Sequence, residues 1–201
     1  MPVNYTVQAE VVDIRSDAPK NDDIFLVDTN AWYWYTYTNA SISSRPYQTT
    51  EYPSYIAKAI SANSLLLYCG LSLAELAHNI EQTEREIFSS TLKSKEYRHN
   101  FPAERAKVVA EVQAAWSQVI SSSVCTDVLV SEETSNAALT RFQTQLLDGY
   151  DLLILDAMDK AGVTKIITDD GDYVTVPGIK VFTANSSAIA AAKSKGKLLV
   201  R

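Results

Sequence analysis

Short apolar runs that stop dead at polar residues constrain this chain more than any other feature. Ile24-Phe25-Leu26-Val27 ends at Asp28-Thr29-Asn30, Leu65-Leu66-Leu67-Tyr68-Cys69 ends at Gly70, and Lys165-Ile166-Ile167 ends at Thr168-Asp169-Asp170-Gly171-Asp172. Strands apolar on both faces belong in a parallel sheet with helices above and below it. Val124 to Val130 and Ile179 to Thr183 read as two further strands of this kind.

Helical patterns fill the gaps between these runs. Leu73, Leu76, Ala77 and Ile80 share one face of a helix over 72–88, and Pro102 stands at the first turn of another over 103–120. Ser131 caps a helix over 132–147 that stops near Gly149, with Glu132 and Glu133 at its positive dipole end. Asp151 opens a further helix closed by Gly162, and a last one runs over 186–193 and closes near Gly196. Residues 31–55 are rich in Trp and Tyr, and Pro46 and Pro53 divide them into a helix followed by an irregular turn. Residues 3–15 alternate apolar and polar, as a half-buried strand or an N-terminal arm does.

Strands alternating with helices predict an α/β protein, a three-layer α/β/α arrangement around a central, mainly parallel sheet. The 201 residues suffice for one core. The expected organisation is a single domain over 1–201, with a strand or arm over 1–23, a core over 24–183, and a C-terminal helix and basic tail over 184–201. No positively charged start leads into an apolar stretch, and no run approaches the length of a membrane span, so a soluble, cytoplasmic protein is expected.

Composition narrows the chemistry. Cys69 and Cys125 have no metal-binding or disulfide spacing and read as buried small hydrophobes, and His78 and His99 are too few for a histidine-based metal site. Catalysis must then rest on carboxylates. Asp28 and Asp170 follow strand ends, Glu75 lies in the first turn of a helix after a strand, and Asp151 begins the helix before the 165–167 strand. A parallel sheet gathers ligands beyond its C-terminal strand ends, so all four can face one edge. Converging carboxylates repel unless a cation sits among them, and hard oxygen donors favour Mg²⁺ or Mn²⁺.

Each acid also has a plain structural reading. Asn30 is a possible helix N-cap, Ser72-x-x-Glu75 fits a capping box, Asp151 suits a helix dipole, and Asp170-Gly171 suits a hairpin turn. The Glu-x-x-His spacing at Glu75/His78 and Glu96/His99 matches that of di-iron helical bundles, but the strand-like runs argue against an all-helical fold.

Taken in order, four segments resemble the PIN-domain nucleases, best known from the ribonuclease toxins of bacterial toxin–antitoxin pairs. They are the strand leading to Asp28-Thr29-Asn30, Leu71-Ser72-Leu73-Ala74-Glu75-Leu76, Tyr150-Asp151 through Ala157 to Gly162, and Thr168-Asp169-Asp170-Gly171-Asp172-Tyr173. The resemblance implies that Asp28, Glu75, Asp151 and Asp170 are catalytic, metal-binding acids, that Asp172 is a fifth ligand, and that Asn30 and Thr168 are polar supports. It implies Mg²⁺- or Mn²⁺-dependent hydrolysis of phosphodiesters, most often in RNA, and an antitoxin protein as partner. The aromatic segment before residue 64 and the helical stretch over 85–130 exceed the compact toxins. A catalytically silent PIN-like scaffold, binding a protein partner or forming a homodimer, is the alternative.

The chain holds 24 Asp and Glu against 18 Lys and Arg, a net charge of −6, so contact with a polyanion needs locally basic surface. Arg85, Lys93, Lys95, Arg98, Arg105 and Lys107 form one candidate, and Lys193, Lys195, Lys197 and Arg201 a second. The aromatics at 32–37 could stack on bases, although Trp and Tyr at that spacing more commonly pack a core or an interface.

Overall fold

A computed structural model of the chain describes residues 3–127 and 130–201. In chain order it contains β1 (Glu10–Asp13), β2 (Ile24–Val27), α1 (Thr29–Thr36), α2 (Pro46–Ser61), β3 (Leu65–Cys69), α3 (Ser72–Phe88), α4 (Ser94–Asn100), α5 (Pro102–Ser122), β4 (Val124–Thr126), α6 (Glu132–Phe142), α7 (Gly149–Ala161), β5 (Lys165–Ile167), β6 (Lys180–Thr183), α8 (Ser186–Ser194) and β7 (Leu198–Leu199). The strands form one sheet in the order β4-β3-β2-β5-β6-β1-β7, and every described pairing is parallel. The expected three-layer α/β/α fold is therefore present.

The apolar runs make the sheet two-sided. Phe25, Val27, Leu66, Ile167 and Phe182 pack on one face against Trp32, Tyr52, Tyr55, Leu76 and Val119, from α1, α2, α3 and α5. Leu26, Leu67, Ile166 and Val181 point to the other face, against Leu152, Leu155 and Met158 of α7 and Ala188 and Ile189 of α8. Successive residues of one strand thus feed two different cores, which is why the middles of these runs are apolar at consecutive positions and the lysines stand at strand starts.

Several expectations need correction. Residues 46–61 form a continuous helix rather than an irregular turn: Pro46 is at its start, while Pro53 is tolerated inside it. A seven-residue helix, α4, occupies 94–100, where none was expected. The helix after Ser131 ends at Phe142, earlier than residue 147, and the next begins at Gly149, because Asp148 caps it and leaves Asp151 in the first turn. The basic tail contributes an edge strand, Leu198–Leu199, beside β1, which itself lies inside the sheet and not outside it as an arm. Within the strand expected over 124–130, residues 124–126 pair with β3, and residues 128–129 lie outside the described residues. Cys69 is buried, but Cys125 is exposed because its short strand forms the sheet edge. Among the described residues no helix is long and apolar enough to cross a membrane.

Candidate active site at the sheet switch point

From β2 the chain crosses to β3 on one side, and from β5 it crosses to β6 on the other. β2 and β5 are neighbours, so the strand order reverses between them and a crevice opens beyond their C-terminal ends. Asp28 directly follows β2 and Thr168-Asp169-Asp170 follows β5.

Asp28 is only 4 % exposed, and both its oxygens are held. Oδ1 accepts from the Thr29 amide at 2.7 Å, while Oδ2 accepts from Asn30 Nδ2 at 2.5 Å and the Thr168 hydroxyl at 2.6 Å. The helix N-cap is therefore Asp28, and Asn30 serves as its donor. Thr168, itself fully buried, also accepts from the Asp170 amide at 2.9 Å. Asn30 and Thr168 thus hold Asp28 in one orientation.

The other acids depart in part from their plain structural readings. α3 starts after Leu71 without a side-chain cap, so Ser72 and Glu75 make no capping box and the Glu75 carboxylate is left for other contacts. The α7 cap is Asp148, whose Oδ1 accepts from the Tyr150 amide at 2.9 Å and the Asp151 amide at 3.1 Å. Asp151 is buried and accepts from the Tyr173 hydroxyl at 3.0 Å. Asp170 does cap a turn, accepting from the Asp172 amide at 2.8 Å, but the turn is a 3₁₀ segment over Gly171–Thr175 and not a hairpin.

These acids lie within one another's electrostatic reach. Burial, then the charge of Glu75, push Asp28 up to about 7. Burial, then the charges of Asp28, Asp170 and Asp148, push Asp151 up to about 9, against the opposing hydrogen bond from Tyr173. Glu75 is raised by burial and by Asp148 and Asp170; the Thr29 hydroxyl acts in the opposite sense, although it makes no hydrogen bond of ordinary geometry. Burial also raises Asp170 and Asp172, with Asp148 adding to both. Asp151 acts on Asp170 in the opposite, lowering sense.

Among the described residues no three His, Cys, Asp or Glu side chains already stand in a common coordination geometry. The donor chemistry still suits a hard cation, since Mg²⁺ keeps several of its waters and is commonly held by one or two carboxylates. Buried acids raised by neighbouring carboxylates are relieved by a positive charge placed among them. Thr29 Oγ1, buried and without a hydrogen bond of ordinary geometry, adds an oxygen within reach of Glu75.

Three participants were not anticipated. Asp148 is the first, and its signal was the Asp-x-x-Asp spacing ahead of an apolar helix. Asp169 is the second: its carboxylate turns toward α2 and accepts from Tyr52 at 2.6 Å, Tyr47 at 2.9 Å and Gln48 at 2.7 Å, anchoring the loop that carries Asp170. Tyr5 is the third, since its hydroxyl lies against Gly171 so closely that a Cβ there would stand 2.2 Å from it. No local pattern announces that contact.

Of the basic candidates, Arg201 is committed to Asp17 and Asp23, and Lys107 to Glu84. Trp32, Tyr33 and Tyr37 are core residues rather than base-stacking surfaces. The parallel sheet rules out the helical bundle that the Glu-x-x-His reading required. Compared with protein-family models and with curated proteins, the sequence matches none.

Proposed function

We propose that this protein is a Mg²⁺- or Mn²⁺-dependent nuclease that cleaves RNA internally. The observation that carries the reading is the gathering of Asp28, Glu75, Asp151 and Asp170 from four separate segments beside the sheet's switch point, where each is raised by burial and by at least one neighbouring carboxylate. The order of those segments, which resembles that of the PIN nucleases, supports the same class. A divalent cation there would neutralise charge developing on a phosphodiester and lower the pKa of an attacking water.

The chain's own residues then have distinct roles. Asp28 is fixed by Thr29, Asn30 and Thr168, so its carboxylate needs no rearrangement to act. Tyr173 donates to Asp151 Oδ1 and fixes that carboxyl group on the first turn of α7. Asp148 keeps the helix start rigid and adds negative charge that favours the cation.

Incubation of the protein with RNA in Mn²⁺ or Mg²⁺, beside EDTA controls and the variants Asp28→Asn and Asp151→Asn, tests the assignment. Cleavage by the wild type that falls at least ~100-fold in both variants is expected, the scale on which loss of one charge-stabilising group acts; equal cleavage by all three overturns it. A wild type that cleaves nothing favours the silent scaffold. The proposal extends to a toxin acting in the cytoplasm with an antitoxin as partner, which growth arrest on expression would test.

A further inference from the structure

α3, α4 and α5 enclose a trough of about 480 Å³ on the flank of the candidate active site. Its floor includes Val109 and Val112, and its far wall carries Arg98 and Arg105. Ala74 and His78 line both this trough and a smaller cavity of about 320 Å³ that also contains Glu75 and Tyr150. The two cavities therefore share a wall on α3, with a carboxylate of the site at one and two guanidinium groups at the other.

The guanidiniums are organised rather than merely exposed. Glu81, with its side chain 11 % exposed, accepts from Arg98 Nε and Nη2 and, at 2.7 Å, from Arg105 Nη1. Arg98 and Arg105 remain 42 % and 45 % exposed, and two positive charges against one negative leave the cluster at +1. Arg98 Nη1 and Arg105 Nε and Nη2 make no bond among the described residues, so they are free to donate. At the opposite end, Tyr150 on the first turn of α7 is 60 % exposed beside Glu75.

An aromatic face, an apolar lining and a pair of anchored guanidiniums in adjoining cavities match single-stranded nucleic acid, whose bases stack and whose phosphates need fixed cations. We infer that the trough between α3 and α5 is the binding track for a single strand, with Tyr150 stacking on a base next to the site and Arg98 and Arg105 gripping a phosphate further along. The inference rests on the nuclease reading for the direction of the strand, and it accounts for the 85–130 stretch, in which α4 and α5 build the track's outer wall.

Binding is measured separately from cleavage, by the anisotropy of a fluorescein-labelled 12-nucleotide RNA of mixed sequence with the full chain carrying Asp151→Asn in Mg²⁺. Arg98→Gln with Arg105→Gln weakens binding about tenfold or more, and lowers the slope of log affinity against log salt by about 1.4, the share of two phosphate contacts on a single strand. Tyr150→Ala weakens it at least about fivefold, as loss of one stacked base does. Because the double variant leaves Glu81 without its partners, Val109→Glu provides an independent probe: Val109 is 40 % exposed, so a negative charge enters the trough without disturbing a buried contact. Unchanged affinity and salt slope in Val109→Glu and in the folded double variant overturn the inference. So does a dimer that Val109→Glu dissolves while RNA binding persists, which assigns the trough to a second copy. Trough-dependent RNA binding by a wild type that cleaves nothing leaves the track standing and the nuclease reading refuted.

Discussion

The Thr168 hydroxyl donates to Asp28 Oδ2 at 2.6 Å and ties the end of β5 to the end of β2 at the point where the strand order reverses. Its oxygen also accepts from the Asp170 amide, so one buried hydroxyl sets the separation of two of the candidate acids. Val has nearly the same shape and cannot donate. Thr168→Val should lower stability by about 1–3 kcal/mol, the cost of leaving buried polar groups unpaired. It should also raise the Asp28 pKa further, because the hydroxyl favours the ionised form. Urea unfolding and the pH dependence of cleavage report the two effects; a variant as stable as wild type would show that the link does not hold the strands together.

The raised acids predict a stability that falls as the solution becomes more alkaline. Asp28 at about 7 and Asp151 at about 9 lie above the ordinary value of 3.8, so the folded state binds protons more tightly than the unfolded one. Their contribution is complete below the unfolded value and is lost as pH rises through about 7 and then 9. In EDTA the unfolding free energy should drop between pH 5 and pH 9, and Asp151→Asn should be more stable than wild type at pH 9 by about 1–3 kcal/mol. Mn²⁺ should flatten the wild-type curve and leave that of the variant less affected. A flat wild-type curve in EDTA contradicts this account.

Gly171 makes the contact with Tyr5 possible. A Cβ at that position would lie 2.2 Å from the phenolic oxygen and 2.4 Å from the ring carbon bearing it, closer than real atoms approach. Gly171→Ala should therefore displace Tyr5 and cost about 1 kcal/mol, moderated because a half-buried side chain can swing aside. Adding Tyr5→Ala removes the clash, so the cost of Gly171→Ala should vanish in that background. The two substitutions measured as a double-mutant cycle decide it, and purely additive effects would place Tyr5 elsewhere.

What was legible in the sequence follows from how local each cause is. Ile24–Val27 and Lys165–Ile167 are apolar because they are covered on both faces, and Asp28 and Asp170 stand out because polarity begins where the strand ends. The Leu198–Leu199 strand depends on β1 being inserted beside it, a pairing across almost the whole chain that no short window contains. Pro53 shows the same limit: a proline normally interrupts a helix, but packing of Tyr52, Tyr55 and Ile56 into the core keeps α2 continuous around it. The four acids were visible at strand and helix ends. Asp148, Tyr5 and the three donors on Asp169 were not, because their relevance arises only when distant segments meet.

Arg201 closes the side of the sheet away from the candidate site and gives a prediction of opposite sign. Its guanidinium bonds Asp17 at 2.7 Å and Asp23 at 2.7 Å, and lies 4.6 Å from the centre of the Phe182 ring. Asp23 is 1 % exposed and is also paired with Lys165 at 2.6 Å. Although burial alone would raise Asp23, the hydrogen bonds from Arg201 and Lys165 hold it down at about 2. A lowered acid adds stability above its unfolded value, near 3.8, and that contribution disappears as pH falls toward 2. Arg201→Ala should cost about 3 kcal/mol at neutral pH, since it removes the guanidinium from two buried carboxylates and leaves Asp23 with Lys165 and the Lys20 amide, and Asp17 with the Tyr55 hydroxyl. The difference between wild type and variant should shrink steadily between pH 4 and pH 2. Acid unfolding followed by circular dichroism measures it, and a variant penalty that stays constant over that interval would mean that Arg201 stabilises through packing on Phe182 and not through its charge.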